Sequence, residues 1–120
     1  MIYKVPITSR TPSILFDTDD GVLTIEGRCI CEYPQDFFKD LFSTINVYRK
    51  SPNSETTINI QIDYANTSST KSILDIMKKF ENLKSKTVIN WMYEKDDEDI
   101  LELGQDFQCI IKLDFIFKEI

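Results

Sequence analysis

Histidine is absent from the 120 residues of this chain, and glycine, cysteine and proline are scarce, with three, three and four copies. Without histidine the chain lacks both the usual general base at neutral pH and the commonest metal ligand. Three glycines are too few for a phosphate-cradling loop, and neither G-x-G-x-x-G nor a Walker-type lysine loop occurs. We therefore expect no enzymatic activity, no metal, no cofactor and no nucleotide site.

The three cysteines are Cys29, Cys31 and Cys109, an odd number that cannot pair completely. A C-x-C spacing alone is neither a zinc knuckle nor the C-x-x-C of a redox enzyme. Cysteine in such a setting behaves as a small apolar residue. We expect all three to be core or strand residues rather than metal ligands.

Long apolar runs are also missing, because no stretch approaches the roughly twenty residues needed to span a bilayer. The N-terminal residues 1–10 lack the apolar segment of a secretory signal. Fourteen basic against twenty acidic residues give a net charge of −6, which repels nucleic acid and anionic membranes. We expect a cytoplasmic protein that binds neither nucleic acid nor membranes. Its composition, 42% hydrophobic and 28% charged, is typical of one folded domain over residues 1–120.

The first half of the chain predicts a hairpin followed by a helix. Two short apolar runs, 14–16 and 22–26, flank an acidic turn that ends at Gly21. A segment opening at Tyr33-Pro34 then has apolar residues at helical spacing, and proline suits the first turn of a helix. The residues that carry this spacing are Phe37, Phe38, Leu41, Phe42, Ile45 and Tyr48.

The second half alternates strands with helices. Residues 57–64 alternate isoleucine with polar side chains, which predicts a strand with one face in water. A helical stripe then extends to about Ser85, a β-branched and aromatic strand covers 87–93, and the acidic residues 96–99 begin a third helix. A final strand is predicted from Cys109 to the C-terminus.

The resulting order is ββαβαβαβ, which predicts an α/β fold with a mixed sheet. Strands that alternate with helices favour right-handed β–α–β crossovers. A parallel strand covered on both sides would be apolar throughout, whereas residues 57–64 alternate. We therefore predict two layers, with the helices packed mainly on one face of the sheet.

The most informative segment is 63–71, where a strand passes into a helix through four consecutive hydroxyl residues. Asn66, Thr67 or Ser68 can cap the helix by accepting from backbone N–H groups. The same N–H groups and the helix dipole favour an anion, so a phosphate on one of these hydroxyls is an equally compatible reading. The residue pattern alone leaves both readings open.

Several further segments, taken together, carry a resemblance that covers nearly the whole chain. They are Thr11-Pro12, residues 14–17 and 21–28, Tyr33-Pro34, and residues 64–75, 90–94 and 96–104. With these the chain resembles the SiaC-type regulatory phosphoprotein family, a bacterial group similar to the STAS-like antagonists of anti-sigma factors. The resemblance implies a STAS-like two-layer fold.

The resemblance also implies a partner-switching function. In the family the threonine of the Asn-Thr-Ser-Ser segment is phosphorylated, which corresponds to Thr67 here, with Ser68 and Ser69 as fallback acceptors. The partner-binding residues are then Asn66, Thr67, Ser68, Ser69 and Lys71. The implied partners are a Ser/Thr kinase of histidine-kinase-like fold, a PP2C-type phosphatase, and a diguanylate cyclase activated by the unphosphorylated form in cyclic di-GMP signalling and biofilm formation.

Two other functions remain compatible with the sequence. The same fold and phosphoswitch could act on an anti-sigma factor instead of a cyclase. Alternatively, the chain could be a structural interaction domain in which the hydroxyl cluster only caps a helix.

Overall fold

The computed structural model describes all 120 residues, which form six strands and four helices in the order βββααβαβαβ. The strands are β1 (Ile2–Val5), β2 (Ser13–Asp17), β3 (Val22–Cys29), β4 (Glu55–Ala65), β5 (Lys86–Tyr93) and β6 (Asp114–Glu119). The helices are α1 (Pro34–Phe37), α2 (Lys39–Tyr48), α3 (Thr67–Lys78) and α4 (Glu98–Ile110). The predicted fold class, a mixed sheet in an α/β fold, is therefore confirmed.

The strands lie side by side in chain order within one sheet. The first three pair antiparallel, and β3 to β6 pair parallel. Each parallel pair needs a crossover connection, which α1 with α2, then α3, and then α4 supply. The carboxyl ends of β3 and β4 consequently lie at the same edge of the sheet, beside the start of α3.

One face of the sheet is apolar and carries the core. Ile25, Ile60 and Trp91 lie side by side on β3, β4 and β5, and none of them is accessible to solvent. Helices α2, α3 and α4 cover this face with buried residues of their apolar stripes. These helical residues are Leu41, Ile45, Tyr48, Ile73, Ile76, Met77, Ile100 and Phe107. The prediction of helices on one side of the sheet is confirmed.

The opposite face of the sheet is polar at its centre. Asn90 Nδ2 donates to Asn59 Oδ1 at 2.8 Å, and Asn59 Nδ2 donates to Thr24 Oγ1 at 3.3 Å. These bonds join three neighbouring strands through side chains that water would otherwise solvate. The alternation read in residues 57–64 thus has one face in the core and one face outside it.

Two elements near the N-terminus differ from the predicted order. Strand β1 was not predicted, because its four residues are too few for an alternation to stand out before Pro6. The predicted first helix is divided at Phe38 into α1 and α2. At this break the rings of Phe37 and Phe38 pack edge to face at 4.8 Å, with Phe38 fully buried and Phe37 partly buried against the core.

Two boundaries in the second half were also wrong. Helix α3 ends at Lys78 instead of near Ser85, and the following turn holds Asn82 in the left-handed region with φ of 61°. Cys109 lies exposed in α4, not in a strand, because the Phe107–Ile111 spacing continues the helical stripe through it. None of the four helices combines the length and the apolar character that a membrane-spanning helix requires.

Candidate functional site

The predicted junction lies where β4 passes into α3, and Asn66 is its helix cap. Asn66 Oδ1 accepts from the backbone N–H of Ser69 at 3.0 Å. The backbone N–H of Asn66 donates to the carbonyl of Cys29, and its Nδ2 donates to the carbonyl of Cys31 at 3.3 Å. Of the three caps left open by the sequence, Asn66 has this role and also ties α3 to the end of β3.

Thr67 is the first residue of α3 and is exposed to solvent. Its hydroxyl makes no hydrogen bond within the chain, whereas that of Ser68 donates weakly to Asn66 Oδ1 at 3.5 Å. The backbone N–H groups in the first turn of a helix have no partner within the helix, apart from those a cap satisfies. An exposed hydroxyl at this position therefore lies beside unpaired donors and the positive end of the helix dipole.

Ser69 occupies a different environment from Thr67 and Ser68. It is fully buried, and its hydroxyl oxygen accepts from the backbone N–H of Cys31 at 3.3 Å. A modifying enzyme or a docking partner would have to pull this side chain out of the protein and break that bond. Ser69 therefore does not fit the expectation of a fallback acceptor or a partner contact in this conformation.

Cys29 and Cys31, whose backbone carbonyls accept hydrogen bonds from Asn66, both have thiols that stay protonated near neutral pH. Burial is the main cause that raises the pKa of the Cys29 thiol to about 12, and nearby Cys31 and Asp63 act in the same direction. Burial also raises the pKa of Cys31, while its contact with Ser69 opposes that shift. Both are buried as expected and remain neutral near pH 7, so they act as packing residues and not as nucleophiles.

A groove of about 280 Å³ runs beside this helix start. Its lining comes from three segments: the loop and α1 at residues 32–36, Phe42 of α2, and Ser68, Lys71, Ser72 and Asp75 of α3. Lys71 is its one cationic residue, and Lys71 Nζ lies 4.0 Å from Asp75 Oδ2. The carboxylates of Glu32 and Asp36 belong to the same groove, which is therefore acidic overall.

Sequence reasoning did not identify the 32–36 side of this groove. These residues lie more than thirty positions before α3 in the chain, and only the parallel pairing of β3 with β4 brings them to it. Tyr33, which is 72% exposed, also lines the groove. The Tyr33-Pro34 pair signalled a helix start, but no local pattern indicated that it faces the hydroxyl cluster.

Replacement of Asn66 by alanine is expected to lower the free energy of unfolding by about 1–2 kcal/mol, because the cap of α3 and the bond to Cys31 are both lost. Urea unfolding measures the change. Ser68→Ala is the matched control, since Ser68 is exposed and makes only a weak bond. Equal stability of the two variants would contradict the role given to Asn66.

These features define an α/β domain that presents an exposed hydroxyl at a strand-to-helix junction, next to an acidic groove. Residues 5–120 match the SiaC family of regulatory phosphoproteins, and the chain belongs to that family. A curated relative, the uncharacterized protein PA14_02130 of Pseudomonas aeruginosa (strain UCBPP-PA14), is 24% identical over 107 residues. The match covers 87% of this chain and 85% of that protein.

Solved structures of SiaC from Pseudomonas aeruginosa have the same fold. The SiaC crystallised in complex with the diguanylate cyclase SiaD, which it activates, superposes with a TM-score of 0.88 at 21% identity. That match covers 98% of this chain and 99% of the other. Apo-SiaC gives a TM-score of 0.84 at 22% identity and covers 98% of each chain. At this level of identity the similarity establishes the fold.

Proposed function

We propose that this chain is a non-enzymatic partner-switching regulator whose unphosphorylated form binds and activates a diguanylate cyclase. A Ser/Thr kinase of histidine-kinase-like fold phosphorylates Thr67 and so releases the cyclase, and a PP2C-type phosphatase restores the active form. Membership of the SiaC family supports the regulatory role. The shared fold with a SiaC that activates SiaD supports the choice of a cyclase as partner. Because the kinase uses ATP, the proposal places the protein in the cytoplasm.

The observation that carries this proposal is the exposed, unbonded hydroxyl of Thr67 at the first position of α3. A kinase can reach this oxygen without opening the fold. Ser69, two residues later, lies in the interior and is engaged by Cys31. The junction thus contains one hydroxyl that is engaged within the structure, that of Ser69, and one that is not, that of Thr67.

The helix start tolerates a phosphate on Thr67 when the protein is free. A phosphate adds about −1.5 to −2 charges, and the unpaired N–H groups and the dipole of α3 favour such an anion. A cyclase packed closely over the start of α3 would have to remove the water that solvates the phosphate dianion. Desolvation of an uncompensated charge costs several kcal/mol. This is enough to convert a protein that is mostly bound to the cyclase into one that is mostly free.

Phosphate mapping tests the proposal directly. The wild-type protein is incubated with the cognate kinase and ATP, and phosphopeptides are assigned by mass spectrometry. We expect Thr67→Ala to lose nearly all phosphate incorporation, because the acceptor oxygen is gone. Ser68→Ala is the matched control, since it removes a neighbouring exposed hydroxyl, and it should be phosphorylated like wild type.

Two checks accompany this experiment. The Thr67→Ala protein should keep its secondary structure and lose no more than about 2 kcal/mol of stability, because Asn66 provides the cap. It should also still bind the cyclase. Full phosphorylation of Thr67→Ala at another hydroxyl would refute the assignment, and absence of phosphate from the wild-type protein under every condition would favour a purely structural interaction domain.

A further inference from the structure

Lys71 and Asp75 form an ion pair that is weak for three reasons. The two charged atoms are far apart, both side chains are exposed to solvent, and the order of the two residues along the helix is the less favourable one. The Nζ of Lys71 lies 4.0 Å from Asp75 Oδ2, and the two side chains are 78% and 45% exposed. Exposed pairs of this kind contribute little to stability. Lys71 precedes Asp75 by four residues, and on a helix the better arrangement has the acid first and the lysine four residues later.

Thr67 lies four residues before Lys71, on the other side of that lysine from Asp75. Long side chains on a helix point back toward its N-terminus, so the space that Lys71 covers most readily is the turn that contains Thr67. A phosphate on Thr67 would place the anion at the first position and the lysine four residues later, which is the preferred order. It would also carry up to twice the charge of Asp75.

Lys71 is, in addition, the single cation lining the groove beside α3, where it faces Glu32, Asp36 and Asp75. If its ammonium group moves toward Thr67, these three carboxylates lose their only counter-charge within the groove. Movement of one side chain would then change the charge of a surface that extends from the helix start to the loop at residues 32–36.

We propose that Lys71 is the positioning residue for the phosphate: on phosphorylation of Thr67 it exchanges Asp75 for the phosphate and leaves the groove uniformly acidic. This inference rests on the proposed function, because it assigns a partner within the chain to the phosphate on Thr67. Phosphorylation of Thr67 then changes the charge of the whole groove beside α3 and not only that of one side chain.

Titration of the phosphate by ³¹P NMR tests the exchange. Phosphothreonine is incorporated at position 67 during translation, so that the sample does not depend on any kinase. An adjacent ammonium stabilises the dianion, so Lys71→Gln should raise the second pKa of the phosphate by roughly 0.4 pH units relative to wild type. Lys71→Arg should retain the wild-type value. Lys78→Gln is the control, because Lys78 is an exposed lysine in the last turn of the same helix.

A phosphate pKa that is the same in Lys71→Gln and Lys78→Gln would overturn the inference. Backbone amide spectra verify that each variant is folded. The result of this titration can be interpreted separately from the test of the proposed function. Phosphate mapping decides whether the kinase uses Thr67, whereas this titration decides only what holds the phosphate once it is there.

Discussion

Replacement of Gly104 by alanine is expected to lower the free energy of unfolding by about 2 kcal/mol, although alanine is the better helix former. A Cβ at position 104 would lie 2.5 Å from Cδ1 and Nε1 of Trp91. The indole cannot move aside, because it is fully buried, donates to the carbonyl of Ile100 at 2.9 Å and packs edge to face on Phe107. Overpacking of this kind costs up to about 3 kcal/mol, against about 1 kcal/mol gained in helix propensity.

Urea unfolding monitored by fluorescence measures this effect well, because Trp91 is the only tryptophan of the chain. Gln105→Ala is the matched control: it places alanine at the next, exposed position of α4, where we expect a change within about 0.5 kcal/mol. A Gly104→Ala protein as stable as the control would contradict the close packing of α4 on β5. The same packing explains why a glycine occurs inside a helix at this point.

The parts of the fold that sequence patterns predicted are those with a strong local period. Ile58, Ile60 and Ile62 alternate with polar residues, and this strand has the buried and solvated faces that the alternation indicated. Cys109 was placed in a strand because Cys109, Ile111 and Leu113 also alternate. The helical spacing of Phe107 and Ile111 overlaps that alternation, and packing of Phe107 on Trp91 decides in favour of the helix.

The candidate site likewise has a part that local sequence patterns predicted and a part that depends on tertiary structure. The hydroxyl cluster was recognisable because capping is local, and the structure assigns the cap to Asn66 and burial to Ser69. Nothing local distinguishes Ser69 from Thr67, since only the Cys31 backbone, 38 positions away from Ser69, determines which hydroxyl is engaged. The groove wall at Glu32 and Asp36 likewise depends on tertiary structure and left no signal in the sequence.

The largest functional effect is expected from charge added at position 67. We predict that Thr67→Val binds the cyclase like wild type, since it keeps the shape of threonine without its hydroxyl. Thr67→Glu should bind more weakly, and the protein phosphorylated at Thr67 should lose about 100-fold or more in affinity, because a buried dianion costs more than a single charge. Calorimetric titration of each form into the purified cyclase measures the series.

The order of the series separates charge from shape as the cause. Ser51→Glu is the matched control for added charge: Ser51 is exposed and lies just before β4, at the opposite end of that strand from Thr67. Its affinity should stay near that of wild type, because separate charges in water are screened within about 10 Å at 0.1 M salt. If Thr67→Val weakens binding as much as phosphorylation does, the hydroxyl itself is a docking contact, and the charge-based account of release is wrong. Equal affinity of the phosphorylated and bare forms would remove the switch altogether, because a modification that both states tolerate equally cannot shift the population between them.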